Sequence, residues 1–168
     1  MNNVKGRNVR SIVSVLLLGA WSLIGGQYAF AGGSPPEPTG FSVDLPANVF
    51  GPGVCAFPIN VSVSGEAAVI DLPGNRTIIT APKQRAVITN LDETANTVAF
   101  SITGVFHQST DQNGNAVTVV TGRNLLGDPE AGFVVAIGIF SFIFDSNGNL
   151  VQPLTGTGRL IDVCESIQ

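Results

Sequence analysis

Histidine is the residue type most often used as a general acid or base in proteins, and this chain has one, His107. It precedes the polar run Gln108-Ser109-Thr110, and it could act as a general base at the mouth of a barrel while Arg123 holds a substrate carboxylate. No serine or cysteine nucleophile motif accompanies it. An exposed strand-end histidine, with Arg123 paired to Asp128 or Glu130, would explain the same residues without catalysis.

Cys55 and Cys164 are the two cysteines. In an exported chain an isolated pair indicates a disulfide, and this one would enclose 108 residues and stabilise the fold by about 4 kcal/mol. Two free thiols are the alternative. Two cysteines and one histidine do not complete a tetrahedral metal site without carboxylates, so we expect neither a metal nor another cofactor.

The pattern D-x-N-G-N occurs twice, at Asp111–Asn115 and at Asp145–Asn149. Asn-Gly supplies the positive φ angles that tight hairpins require, and each copy lies between two strand-like runs. A calcium loop would need glycine at its sixth position and an acidic residue at its twelfth, whereas glycine is fourth here. The pattern therefore favours hairpin turns.

The first 31 residues are typical of a secretory signal peptide. Lys5, Arg7 and Arg10 precede an apolar run over residues 12–24, and Ala29-Phe30-Ala31 offers a small-x-small cleavage site. The run is shorter than the ~20 residues that a membrane-spanning helix needs. We therefore expect a secreted, extracellular protein without a membrane anchor.

The part of the chain after residue 31 is acidic, and it contains phenylalanine but no tryptophan or tyrosine. It keeps five basic and twelve acidic residues, a formal net charge of −7. Such a charge disfavours nucleic-acid binding, because no basic surface is available to neutralise phosphates. Trp21 and Tyr28 both lie in the leader, so flat Trp or Tyr platforms for sugars are missing from the mature sequence.

Residues 32–54 are rich in proline and glycine, and we interpret them as a flexible or irregular arm. Residues 55–168 show period-two alternation and no sustained helical periodicity, which predicts an all-β domain: a single antiparallel β-barrel or closed sandwich of about eight strands. Arg123–Glu130 is predicted to be the longest loop. Gly104, inside the alternating segment Thr97–Phe106, indicates a bend or a close approach of another backbone.

The segment Phe133–Phe144 is apolar on both faces, with Ser141 its one polar residue. A strand with water on one side should alternate. This strand is therefore predicted to be central and paired on both sides. Its second face is covered by the arm, or it meets a ligand, a partner or a second subunit, so oligomerisation through residues 133–144 is one hypothesis.

Four motifs occur together between Cys55 and Cys164: F-P-I-N-V-x-V, T-G-R-N-L-L, D-x-N-G-N-L-V-Q-P-L-T-G-x-G-R and a closing D-V-C. This combination resembles a group of small secreted bacterial proteins, mostly of Gram-positive type, with one disulfide and no assigned activity. The resemblance implies export and an all-β domain. It carries over no catalytic residue.

Three functions remain open from the sequence. The first is a non-catalytic module that binds a small apolar ligand inside the barrel, with Phe100, Phe106, Phe140 and Phe142 as candidate lining residues. The second is a small isomerase-like or hydrolytic enzyme that uses His107 and Arg123 at the barrel mouth. The third is a structural or surface-interaction protein without a pocket.

Overall fold

The computed structural model describes residues 35–51 and 54–168, and the predicted signal peptide, residues 1–31, lies outside them. The described chain is all-β, as predicted. It ends in a short 3-10 helix at Glu165–Ile167. The nine strands, all paired antiparallel, are β1 (Glu37–Leu45), β2 (Ile59–Leu72), β3 (Arg76–Thr80), β4 (Arg85–Asn90), β5 (Thr97–Ser101), β6 (Val105–Thr110), β7 (Ala116–Asp128), β8 (Gly132–Phe144) and β9 (Leu150–Asp162).

The strands form two sheets that share β2. The order is β5-β4-β2-β3-β6-β7-β8-β9, and β1 pairs with β2. Residues 59–67 of β2 belong to the first sheet, with β1, β4 and β5, whereas residues 68–72 join β3 in the second sheet, with β6 to β9. The sheet is not closed, so barrel closure is not confirmed. A bond between Cys55 and Cys164 also predicts that the strand after Cys55 lies beside the last strand. This is wrong, because that strand is β2, which pairs with β1, β3 and β4, whereas β9 pairs with β8.

Three segment predictions are corrected by the strand boundaries. The arm over residues 32–54 contains β1, because Val43 and Leu45 alternate and pack against the main core. The expected loop Arg123–Glu130 is mostly strand, since Leu125 and Leu126 continue β7 up to a tight turn after Asp128. The sequence also predicts two final strands, Leu150–Thr155 and Arg159–Cys164, and the structure has one continuous strand there, β9.

The segment Thr97–Phe106 was predicted to be a single strand, and it divides into β5 and β6 instead. Ile102, between the two, is buried in the core of the first sheet. Gly104 then leads the chain into the second sheet, and a Cβ on Gly122 would lie 3.2 Å from the Cα of Gly104. The close backbone approach predicted for Gly104 is confirmed, and it marks the crossing between the sheets.

Gly122, Gly138 and Gly158 form one row across β7, β8 and β9. Their φ angles are +84°, +142° and +145°, a region that favours glycine. A Cβ on Gly138 would overlap the carbonyl oxygen of Thr157. The strands therefore bend at this row, which we call the glycine row, and their backbones touch there.

The bend folds the second sheet back on itself. The backbone N–H of Leu154 donates to Oδ2 of Asp128 over 3.3 Å. Leu154 lies beside the end of β8 near Phe142, whereas Asp128 pairs with Gly132 at its start. Ten residues of straight strand would hold these positions about 33 Å apart. The contact requires the two halves of β8 to pack against each other.

Two apolar clusters fill the resulting layers. The first lies between the first sheet and the early half of β8, where Phe50 stacks on Phe133 with ring centroids 4.5 Å apart. The second lies inside the fold of the second sheet and contains Val120, Val134 and Phe140. The early half of β8 is thus buried on both faces. The prediction that this strand is central is confirmed, because β7 and β9 flank it.

The predicted disulfide is present. Cys55 and Cys164 are bonded, with their Cα atoms 4.9 Å apart. The bond joins the segment before β2 to the segment after β9, and both cysteines are buried in the first cluster. It therefore ties the two sheets together at one end.

Replacing both cysteines with serine is expected to lower the free energy of unfolding by about 4 kcal/mol, because the unfolded chain loses a closure over 109 positions. Chemical denaturation of the oxidised protein and of the double variant measures the difference. Alkylation of both thiols in the unreduced protein would contradict the bond.

Replacing Gly138 with alanine should lower the free energy of unfolding by about 3 kcal/mol, since the added methyl overlaps Thr157 and the φ angle becomes strained. Gly148→Ala is the matched control. Its φ is +79°, but nothing lies within 4 Å of the added Cβ, so it should cost about 1 kcal/mol. Equal losses in urea denaturation would contradict the backbone contact at the glycine row.

Candidate functional site

The two catalytic candidates lie in different parts of the second sheet. His107 is exposed in the middle of β6, not at a strand end, and it lies opposite Val119 of β7. Arg123 is exposed four residues further along β7, about 13 Å of strand away and beyond the bend at Gly122. Within the described chain, no hydrogen bond or ion pair joins either side chain to a carboxylate. The arrangement offers no shared catalytic centre.

The four candidate ligand-binding phenylalanines belong to two separate clusters. Phe100 packs against the first cluster, between the sheets. Phe106, Phe140 and Phe142 belong to the second cluster, inside the folded second sheet. Phe140 is buried, and Phe142 contacts Phe144 edge to face with centroids 5.7 Å apart. These side chains fill the interior by packing on their neighbours, and they do not surround one common space.

A shallow depression of 420 Å³ lies at the disulfide end of the molecule. Cys55 and Cys164 form part of its wall, and Glu130, Asp162 and Glu165 give it a negative charge. None of the four candidate phenylalanines lines it. Within residues 35–51 and 54–168, no three His, Cys, Asp or Glu side chains are grouped closely enough to hold a metal ion.

Sequence reasoning missed a buried polar residue, Asn124 of β7, which is 2% exposed. Its Nδ2 donates to the carbonyl of Thr121 over 3.0 Å, and its Oδ1 accepts no hydrogen bond from the described residues. A Cβ on Gly104 would overlap this amide, so Asn124 packs flat against the backbone where the chain crosses between sheets. Its role is structural, and Gly104 was the signal of the close approach.

The two D-x-N-G-N segments are hairpin turns, as predicted. In the first, Oδ1 of Asp111 accepts the backbone N–H groups of Asn113 and Asn115 over 2.8 and 2.9 Å. In the second, Asp145 accepts those of Asn147 and Asn149 over 2.9 and 2.8 Å. The carboxylates close the turns themselves. Gly114 and Gly148 supply φ angles of +81° and +79°.

One face of the second sheet packs against neither of the two apolar clusters. We call it the outer face. Its side chains form three cross-strand rows: Ala68, Thr80, Val105, Thr121, Ile139 and Thr157; Ile70, Ile78, His107, Val119, Ser141 and Thr155; Leu72, Arg76, Ser109, Val117, Ile143 and Gln152. Except for Ala68, all of them are half-buried or exposed, and Ile139 is 58% exposed.

The composition of the outer face differs from that of the whole chain. Half of its positions are apolar, most of the others carry a hydroxyl, and none of the twelve acidic residues lies in its rows. Arg76 is its one arginine or lysine, and its Nε donates to the carbonyl of Pro73 at the edge. The outer face is therefore a broad, half-apolar surface without carboxylates.

No protein-family model, curated protein or solved structure matches this chain. No helix among the described residues is long and apolar enough to cross a membrane. The disulfide is typical of proteins from extracellular or other oxidising environments.

The turn geometry lowers the pKa of both aspartates below the ordinary value of 3.8. For Asp111 the main cause is the backbone N–H of Asn115, and for Asp145 it is the side-chain amide of Asn149. Because hydrogen bonds to the charged form depress each folded pKa, they stabilise the turns above the unfolded pKa, and this stabilisation is lost as the pH falls through the folded pKa.

Carboxyl NMR titration should give midpoints below 3.8 for both aspartates. Asn149→Ala should raise the pKa of Asp145, because it removes the side-chain amide that donates to the carboxylate. The pKa of Asp111, in the other D-x-N-G-N turn, should not change and serves as an internal control. Midpoints at or above 3.8 in the unaltered protein would show that the carboxylates do not close the turns.

Proposed function

We propose that this protein is a non-catalytic interaction module that works through the surface of its second sheet, without an internal ligand pocket. The observation that carries the proposal is the outer face, which is half apolar, free of acidic residues and outside both apolar clusters. An exposed apolar patch costs solubility unless a partner uses it.

Packing of the interior supports the same proposal. A ligand-binding module of this size would hold its ligand in a cavity lined by apolar side chains, typically ~300–1,000 Å³ in volume. Here the four candidate phenylalanines are divided between two filled clusters. The depression of 420 Å³ is open and acidic, and it lies on the surface beside the disulfide, where none of these phenylalanines lines it. The sequence favoured a module that binds a small apolar ligand, and we propose the interaction module in its place.

Placement of His107 and Arg123 also favours a non-catalytic role. A general base acts on a substrate that other groups hold within hydrogen-bond reach, about 2.6–3.2 Å. His107 lies on an exposed sheet face between the apolar residues Ile78 and Val119. That position suits contact with a partner surface better than catalysis.

The proposal takes the protein to be exported. Its support is the signal-like N-terminal sequence, the disulfide and the resemblance to secreted bacterial proteins with a single disulfide. An exported module acts outside the cytosol, where its partners are other secreted or surface-bound molecules.

Native mass spectrometry of the protein purified from the medium of its host tests the absence of a ligand. The expected result is the mass of the oxidised chain, alone or in whole multiples, with no bound small molecule. A small apolar molecule bound at a stoichiometry near one, and displaced by denaturation, would overturn the proposal. Loss of that molecule on Phe140→Ala, with Phe100→Ala as control, would place it in the second cluster.

A further inference from the structure

We infer that the partner of the outer face is a second copy of this chain, docked face to face as a weak symmetric dimer. The inference rests on the proposed function, because it names the partner of the same surface. Three observations carry it: the way the same face is covered elsewhere in the molecule, the distribution of charge, and the area.

The first observation is that this face of β8 is built for packing against a sheet. Ile137 lies two residues before Ile139 on the same side of the strand, and it packs against the first cluster under the first sheet. Beyond the glycine row the first sheet ends, and Ile139, Ser141 and Ile143 continue the same face without cover. Another sheet stacked about 10 Å away would continue the layer.

The second observation is the placement of charge. Two copies of the sequence after residue 31, each with a formal net charge of −7, repel each other across most of their surfaces. The outer face is the exception, because its rows hold no acidic residue. Arg76 lies at one end of the face, while Arg123 and Arg159 flank Ile137 at the other. No Asp, Glu, Lys or Arg lies in the centre of the face, and the arginines form a charged rim, as interfaces between proteins commonly have a polar one.

The third observation is the size of the face. Six strands at ~4.8 Å spacing and five residues at ~3.3 Å give a surface of about 25 by 17 Å, or roughly 400 Å² on each copy. Two such surfaces total about 800 Å², which is less than the ~1,000 Å² that stable specific interfaces bury and falls in the range of weak, transient contacts. A dimer of this kind is weak, with a dissociation constant on the order of 10 μM or higher, and it is isologous because both copies use the same patch.

Sedimentation equilibrium of the intact oxidised protein, from micromolar to millimolar concentration, tests the dimer. The unaltered chain should pass from monomer to dimer over this range. Ile139→Asp should weaken association at least 10-fold, because each dimer would then bury two carboxylates, and Ile139 is exposed enough to tolerate the change in the monomer. Val119→Asp, in the middle row, should act in the same way.

Val69→Asp is the matched control, since Val69 is 39% exposed on the opposite face of the same sheet and should leave association unchanged. Far-UV circular dichroism and the unfolding midpoint of each variant verify that the monomer is folded. A chain that stays monomeric at millimolar concentration overturns the inference. Association that Ile139→Asp and Val119→Asp leave intact, or that Val69→Asp weakens equally, also overturns it.

Native mass spectrometry separates this inference from the proposed function. A ligand-free monomer at every concentration would remove the second copy as partner and leave the interaction module standing. A dimer that carries a stoichiometric small molecule would retain the second copy and remove the function proposed above. A ligand-free dimer that depends on Ile139 supports both.

Discussion

Backbone-to-backbone contact at the glycine row is the constraint on which the other layers of this protein depend. Backbone hydrogen bonds hold neighbouring strands ~4.8 Å apart, and at Gly122, Gly138 and Gly158 the positive φ angles direct the Cβ position toward a neighbouring backbone, where a side chain has little or no room. The three strands can therefore bend together and fold the second sheet over itself. That fold places the early half of β8 between two apolar clusters and leaves the same face of its later half uncovered.

Polar groups are used in this structure to lock crossings and turns. Asn124 fills the space above Gly104, where the chain passes from one sheet to the other, and it does so at the cost of one unsatisfied oxygen. Asp128 accepts backbone N–H groups from its own turn and from β9. None of the acidic residues lies in the three rows of the outer face, so a broad face without carboxylates exists on this acidic chain.

The sequence predicted what depends on neighbouring residues, and it failed where distant parts of the chain meet. Alternation located the strand centres, and D-x-N-G-N located two turns. Because Asn124 and Asp128 are polar, the sequence predicted a loop there. Both side chains are buried instead, by contacts with Gly104 and with β9, which are remote in sequence. The separation of His107 from Arg123 likewise follows from the register of β6 on β7, which composition does not specify.

The outer face illustrates the same limit. Apolar residues on both sides of Phe133–Phe144 predicted a strand without a solvent side, and this holds for its early half. Whether the later half is covered depends on how far the first sheet extends, and the first sheet stops at the bend. How far one sheet covers another depends on the whole fold, so no pattern of neighbouring residues predicts it.

The position of the disulfide has a mechanical consequence. A pull applied between the two ends of the chain passes directly from Cys55 to Cys164, so the 109-position span between them carries no tension. What can be drawn out on the N-terminal side, from Pro35 to Val54, is β1 with the segment after it, about 70 Å when fully extended. Under load, β1 and the segment after it would extend, while the part of the chain between the two cysteines keeps its length. Both sheets, except for the strand that peels away, keep their shape while this segment extends.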